Sequence, residues 1–336
     1  MRSFLGFLTL LSLSARAAEL TREVPQPAPF KTVGGVQTAV LESTILTPAQ
    51  SFDTLIPSWN VETPLGSSSV LEVRARVDKH WTRYYSFGQW SSTGLSSSVN
   101  GQADADGTLS TDTLKLERLA TQFQYRLTLT TNASSGQPKA RLLTFSTDSR
   151  TLTAVKNAEG NRSSWGKILK VPPYSQMVFK AGEGWCSPTS LSMVLAFWGI
   201  NRSVPEVAAR VFDSAYRGTG NWPFNTAYAA SLGLEAYVTR LPGMGALEEY
   251  IARGVPVITS IGFKAGEIKG APVAWSEGHL LVVVGFDKLG NVVVNDPAGQ
   301  NESEVRRTYS RAEFERAWMG HSGGTVYLLS PRANKD

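Results

Sequence analysis

Few residues in this sequence are able to carry out nucleophilic chemistry. Cys186 is the only cysteine among 336 residues, and the three histidines are His80, His279 and His321. A thiolate attacks a carbonyl carbon effectively when a histidine exchanges its proton and a third group orients that histidine. The candidate pairs are therefore few enough to be weighed individually.

Cys186 lies where a loop is expected to become a helix. Pro188 suits the first turn of a helix, and Gly199 suits its C-terminal end. Apolar residues recur between them at helical spacing, namely Leu191, Val194, Leu195 and Trp198. The positive end of a helix dipole lowers the pKa of a thiol and favours the nucleophilic thiolate. A buried structural cysteine is the alternative, and the position of Cys186 after Gly184-Trp185 favours the nucleophile.

His279 and Asp296 are the expected partners of Cys186. His279 opens an apolar strand, and Asp296 follows the next strand in the sequence Asn295-Asp296-Pro297. A regular hairpin centred near residue 289 would place His279 opposite about residue 299, and so close to Asp296. Alternatively, His279 is an edge-of-core histidine and Asp296 caps a turn. Together with a single cysteine at a helix start, the two residues favour a catalytic triad.

The elements that must position these residues divide the chain in two. Residues 51–150 alternate apolar and polar side chains between Gly/Ser/Asn/Asp clusters, which predicts an antiparallel β-sandwich. Its aromatic residues between 81 and 90 are interpreted as core rather than as a stacking platform for sugars or peptides. A polar linker is expected at 151–170. Residues 171–330 place helices before antiparallel strands, an α+β order.

Two helix starts in the second region are predicted from local signals. One helix is expected over residues 225–232, ended by Gly233. Ser310 and Glu313 have the spacing of a capping box and are expected to begin the last helix.

The N-terminus has the features of a secretory signal peptide. Residues 1–17 combine a basic start, an apolar run and a small-residue cleavage site at Ala15-Arg16-Ala17, which predicts a secreted, periplasmic or cell-surface protein. Cleavage would remove Arg2 and Arg16, so the formal net charge of +5 would fall by two to +3. No basic run indicates nucleic acid as a partner, and no other segment predicts a membrane span. Residues 18–50 are expected to be a lead-in, and a role as a pro-segment stays open.

Five motifs together resemble the bacteriocin-leader-processing cysteine peptidases and their secreted relatives over residues 171–330. The motifs are Gln176, residues 184–190 around Cys186, Gly278-His279, Gly285-Phe286-Asp287 and Asn295-Asp296-Pro297. The resemblance implies a papain-like fold with Cys186 as nucleophile, His279 as general base and acid, and Asp296 as the orienting residue. It also implies that Gln176 and the backbone N–H of Cys186 stabilise the oxyanion.

The sequence thus predicts a secreted two-domain cysteine peptidase that acts on a peptide or protein through a thioester, without a metal or organic cofactor. We expect a monomer. One alternative is a cell-wall peptidoglycan endopeptidase or amidase with the same triad. Another is a non-catalytic peptide- or glycan-binding protein on a peptidase fold. A transferase acting through the same thioester is also open.

Overall fold

The computed structural model describes residues 18–132, 136–149 and 160–332. The predicted signal peptide lies outside the described residues, as do residue 150 and residues 151–159 of the predicted linker. Two antiparallel sheets organise the described chain, and the strands of one all precede those of the other.

The first sheet has eleven strands. They are β1 (Glu19–Glu23), β2 (Lys31–Val33), β3 (Val36–Glu42), β4 (Phe52–Glu62), β5 (Ser67–Val77), β6 (His80–Trp81), β7 (Tyr85–Trp90), β8 (Gln102–Ala103), β9 (Gly107–Ser110), β10 (Thr113–Asn132) and β11 (Lys139–Asp148). The segment expected as a lead-in contributes the first three strands. It is part of the sheet, because β1 pairs with β11 and β3 pairs with β10.

Strand β10 pairs with four other strands of this sheet. Its first residues pair with β9 and β4, and its later residues pair with β5 and β3, with a register shift between Lys115 and Ala120. The ring of Phe123 in β10 lies 6.0 Å from that of Phe52 and 5.0 Å from that of Phe145, between centroids. The two sheets that the β-sandwich prediction requires are therefore joined into one hydrogen-bonded sheet.

The second sheet has six strands in the order β12-β17-β13-β14-β15-β16. They are β12 (Leu234–Arg240), β13 (Val257–Phe263), β14 (Ser276–Phe286), β15 (Val292–Asn295), β16 (Arg306–Tyr309) and β17 (Thr325–Pro331). The α-helices of the described chain are α1 (Cys186–Phe197), α2 (Val204–Val211), α3 (Trp222–Ser231), α4 (Met244–Ala252), α5 (Glu302–Val305) and α6 (Arg311–Ser322). This arrangement confirms the predicted α+β class.

Helix α1 is buried over almost its whole length, from residue 187 to residue 195. Small polar side chains of this helix form hydrogen bonds with the second sheet. Ser190 Oγ donates to the carbonyl of Leu280 in β14 at 3.1 Å, and Ser187 Oγ lies 3.0 Å from the hydroxyl of Tyr327 in β17. Because these bonds satisfy polar groups inside the protein, they fix the helix and the cysteine at its start against the sheet.

The two halves of the chain meet along the edge strand β12. An edge strand presents unpaired backbone groups, and here β4 satisfies three of them with side chains. Asn60 Nδ2 donates to the carbonyl of Ala236 at 2.7 Å, and Asn60 Oδ1 accepts from the N–H of Ala236 at 3.2 Å. Ser58 Oγ accepts from the N–H of Val238 at 2.8 Å. The contact between the halves is therefore buried and specific.

Candidate active site

The structure brings Cys186, His279 and Asp296 together. Cys186 is the first residue of α1, His279 lies in β14, and Asp296 directly follows β15. His279 Nε2 lies 2.8 Å from Asp296 Oδ1, and the imidazole also forms a hydrogen bond with the thiol of Cys186. Because Nε2 faces the carboxylate, Nδ1 is the ring nitrogen that faces the sulfur.

A β-bulge decides how β14 and β15 align these residues. Val282 pairs with Asn295, and the register shifts between Val283 and Gly285. Continuing the register of Val282 by three residues places His279 opposite residue 298, one residue from the expected position. A glycine is needed at position 285 because the segment at Lys167 approaches there, and a Cβ would lie 2.1 Å from the Lys167 carbonyl oxygen. The hairpin thus carries histidine and aspartate into contact.

Charge and hydrogen bonding keep His279 protonated. Burial alone lowers the pKa of His279, but the charge of Asp296 and the hydrogen bonds to Asp296 and Cys186 outweigh burial and raise it to about 10. For Asp296 the effects have the opposite direction. Burial raises the pKa of its carboxyl, but the charge and hydrogen bond of His279 outweigh burial and lower it. The pair therefore favours an imidazolium next to a carboxylate.

The thiol of Cys186 is stabilised as a thiolate. Removal from water raises its pKa, but the hydrogen bond and charge of His279 and the N–H groups of Leu280 and Ser187 outweigh this and lower it. The N-cap residue of α1, Trp185, makes no side-chain capping bond. No side chain therefore caps the first N–H groups of the helix, and Cys186 lies at this positive end, the position predicted for it from the sequence.

Tyr309, at the end of β16, is a residue of the site that sequence reasoning missed. Its hydroxyl donates to Asp296 Oδ2 at 2.7 Å, while the N–H of Ala298 donates to Oδ1 at 3.0 Å. Burial and the Asp296 charge raise the pKa of Tyr309, so it remains a donor. A tyrosine before a helix carries no signal in the sequence, because its contact with the carboxylate arises only when β16 folds beside β15.

Gln176 lies beside the segment that carries Asp296. Its backbone N–H donates to the carbonyl of Pro297 at 2.9 Å, and its side-chain Oε1 is buried without a hydrogen-bond partner among the described residues. Successive turns compact the loop between Gln176 and Cys186, each closed by an N–H that bonds the carbonyl three residues earlier, from Phe179, Gly182 and Trp185. The nine residues between Gln176 and Cys186 are therefore folded into turns and do not form an extended loop.

The two other histidines form no hydrogen bond with Cys186 among the described residues. His80 is exposed in the first sheet, where its Nε2 lies 2.9 Å from Asp106 Oδ1. His321, near the end of α6, packs against Gly262 and lines the edge of the cleft that contains Cys186. Burial lowers the pKa of His321. Of the three histidines, only His279 is bonded to the cysteine.

The cleft in front of Cys186 has a volume of about 730 Å³. Both halves of the chain line it, because Asp112 and Lys115 of the first sheet face it together with Cys186, Glu277 and Leu280. The sequence did not indicate this contribution of the first sheet. Among the described residues, no group of three or more His, Cys, Asp or Glu side chains is placed to hold a metal ion. No described helix has the length and apolar character needed to span a membrane.

An α+β papain-like domain with a cysteine at the start of its first helix, preceded by a sheet domain, defines a cysteine-type peptidase, a class of hydrolase. Comparison with known families agrees: residues 168–326 match the Peptidase_C39 like family, and residues 11–148 match the Peptidase C39 N-terminal domain. The protein is a cysteine peptidase of the C39-like family, as the resemblance in the sequence predicted. Comparison with curated proteins gives no match.

Proposed function

We infer that the protein is a secreted peptidase that hydrolyses peptide bonds through a Cys186–His279–Asp296 triad and a thioester intermediate. The observation that carries this proposal is the hydrogen-bonded chain from the thiol through the imidazole to the buried carboxylate. Cys186, at one end of this hydrogen-bonded series, lines a cleft of about 730 Å³, which is large enough to admit part of a peptide.

In the acylation step, the thiolate of Cys186 attacks the carbonyl carbon of the peptide bond. The negative charge that develops on the carbonyl oxygen is stabilised by the backbone N–H of Cys186 and by the side-chain NH2 group of Gln176. His279 Nδ1 then gives its proton to the leaving amine, the C–N bond breaks, and a thioester remains on Cys186. Asp296 orients the imidazole and stabilises its cation throughout.

In the deacylation step, water attacks the thioester carbon while His279 Nδ1 accepts a proton from it. The C–S bond breaks and the new carboxylic acid leaves. The proton on His279 then restores the ion pair of imidazolium and Cys186 thiolate. Replacement of water by an amine or a hydroxyl at this step would produce the transferase outcome.

The site is tested with matched histidine variants. Cys186→Ala and His279→Ala should each reduce cleavage of a peptide library by at least about 1,000-fold, because nucleophile and base act as a unit. His80→Ala, in the first sheet, should cleave like the wild type. Mass spectrometry after brief treatment with a peptide-based electrophile should locate the adduct on Cys186. Undiminished cleavage by Cys186→Ala would contradict the proposal.

We propose export because residues 1–17 have the features of a signal peptide. We propose a peptide substrate because the reaction class is peptide hydrolysis. Protein purified from the culture medium of the expressing cells should begin at Ala18 when its N-terminus is sequenced. The same preparation is incubated with peptides and with purified sacculi. Release of muropeptides without peptide cleavage would shift the substrate to cell-wall crosslinks, with the same triad.

A further inference from the structure

The first sheet extends a turn into the catalytic cleft. The turn between β9 and β10 places residues 110–113 on the wall of the cavity that holds Cys186, and Lys115 lines the same cavity two positions further along β10. The sheet domain is therefore placed to touch the substrate directly, in addition to supporting the peptidase domain.

Asp112 fixes this turn to the peptidase domain. Its buried carboxylate accepts the N–H of Trp222 at the start of α3 at 3.0 Å and the hydroxyl of Thr113, also at 3.0 Å. A carboxylate that accepts a backbone N–H at the first turn of a helix is in a favourable place for its charge. The position of the turn is thus set by contacts with the catalytic half of the chain.

A second anchor holds the loop that faces this turn. Asp213, fully buried, accepts with Oδ1 the N–H groups of Ser98, Ala215 and Tyr216 at 2.9 to 3.2 Å. Ser98 belongs to the first half of the chain. The next residue in the loop, Arg217, lines the cleft and has a backbone φ of 56°. Its backbone is therefore held in place by the same contacts.

Lys115 and Arg217 give this wall of the cleft two cations. Both side chains are exposed, and neither forms a salt bridge with any residue of the described ranges. Several arginines on the surface of the first sheet do form salt bridges, as Arg118 does with Asp78 and Arg126 with Glu72. The one exposed acidic residue lining the same cavity, Glu277, comes from β14. An anionic group of a substrate would thus find one cation from the sheet domain, Lys115, and one from the peptidase domain, Arg217.

We propose that Lys115 and Arg217 form a subsite that binds a carboxylate of the peptide substrate and so make the sheet domain a determinant of specificity. This inference rests on the proposed function, because it concerns substrates held in front of Cys186. The carboxylate is an acidic side chain or the C-terminus of the substrate. An ion pair in an open cleft discriminates modestly, so we expect a preference of about fivefold.

The first test compares matched peptides in wild-type protein and in variants. At one substrate position or more, Glu should be cleaved about fivefold better than Gln, measured as the ratio of kcat/KM values. Lys115→Gln and Arg217→Asn should each reduce this ratio, and the double variant should bring it close to one. Asparagine is chosen at 217 because it tolerates the left-handed backbone there. Lys139→Gln, an exposed lysine outside the cleft, should leave the ratio unchanged.

Two further arms identify the source of the carboxylate and the nature of the contact. Peptides ending in an acid or an amide distinguish a C-terminal carboxylate from a side chain. The preference should weaken when the salt concentration rises to about 0.5 M, because screening shortens the range of exposed charges. Lys115→Glu combined with Arg217→Asn should reverse the preference in favour of Lys over Gln.

The outcomes separate this inference from the proposed function. Cleavage that needs Cys186 but shows no acidic preference, or a preference that survives in the double variant, overturns the subsite alone. Cleavage that does not need Cys186 overturns the proposed function. Binding of uncleaved peptides to Cys186→Ala protein, followed by fluorescence anisotropy, supplies a readout without turnover: equal Kd values for the Glu and Gln peptides would again overturn the subsite.

Discussion

Asp296 controls the charge of His279 although it does not touch a substrate. Its carboxylate is held on one oxygen by His279 and the N–H of Ala298 and on the other by Tyr309. A carboxylate with this many donors stays ionised when buried. The pKa of His279 is raised because this charge persists beside it.

The substitution Asp296→Asn is therefore expected to change the pH profile as well as the rate. Removal of the carboxylate charge takes away the main cause that raises the pKa of His279, while the opposing effect of burial remains, so this pKa falls. The alkaline limb of kcat/KM, where the imidazolium is lost, should move to lower pH, and kcat should fall by about 100-fold or more. The measurement is kcat/KM across the pH range.

A control for this experiment lies at the other end of the same hairpin. Asp287 accepts hydrogen bonds from Leu289 and Asn291 in the turn. Asp287→Asn should leave the alkaline limb where it is in the wild type. An alkaline limb unchanged in Asp296→Asn would show that the carboxylate does not set the charge of His279.

At the scale of single residues, the sequence analysis could predict only features that are visible from residue types and their order. A single cysteine at a helix start, and a histidine and an aspartate on successive strands, are visible as types at recognisable spacings. The catalytic roles remain a prediction, although the geometry brings the three side chains together. Tyr309 could not be found in this way, because its role depends on the pairing of β15 with β16 and on burial.

Among the elements, helix α4 carries a buried charge that ties the chain together. Glu248 is fully buried, and its Oε1 accepts from Trp165 Nε1 at 2.7 Å and from Arg311 Nη1 at 2.5 Å. Trp165 lies in the described part of the predicted linker, and Arg311 begins α6. Three segments distant in the sequence therefore meet at one carboxylate.

Truncating one partner of this pair should destabilise the protein strongly. Arg311→Ala leaves the buried charge of Glu248 without its cation, so we expect the free energy of unfolding to fall by about 3 kcal/mol. Arg253→Ala, at an exposed arginine after α4 that stacks on Tyr250, should cost no more than about 1 kcal/mol. Urea unfolding of both variants measures the difference, and equal stabilities would contradict the assignment.

The boundaries of two helices show where local signals are insufficient. Helix α3 begins at Trp222, three residues before the predicted start, because Asn221 Oδ1 accepts the N–H of Phe224 at 3.3 Å. The predicted capping box at α6 does not form: Ser310 makes no side-chain capping bond, and Glu313 instead accepts the N–H of Lys269 at 3.1 Å. A contact with a distant loop replaces the local one, and spacing alone does not show such competition.

On the scale of the whole molecule, the two halves share one buried interface that continues into the cleft. The polar side chains of β4 satisfy the edge of β12, while Asp112 and Asp213 tie a turn and a loop to opposite halves. The sequence predicted an α+β peptidase domain and an all-β domain before it, because periodicity reports strands and helices. It did not predict their contact, since the interface consists of isolated Asn, Ser and Asp side chains without a pattern.

Asp213→Ala should disturb stability and catalysis together. The substitution leaves the buried N–H of Ser98 and the partly buried N–H groups of Ala215 and Tyr216 without their acceptor, and one unsatisfied buried donor costs about 1 to 3 kcal/mol. We expect a loss of at least about 3 kcal/mol in the free energy of unfolding, with faster limited proteolysis at residues 214–220 and a lower kcat/KM. Asp78→Ala, which removes the exposed partner of Arg118, should cost less than about 1 kcal/mol. Wild-type stability in Asp213→Ala would show that the loop is held by other contacts.

The isolation of Cys186 as the only sulfhydryl of residues 1–336 has a consequence for the lifetime of the protein. A peroxide that converts a thiolate to a sulfenic acid is normally countered by a neighbouring thiol that condenses with it. This chain has no second thiol to act as the resolving partner. Recovery from oxidation therefore depends on a thiol supplied by another molecule, and the reducing capacity of the surroundings limits how long the nucleophile survives.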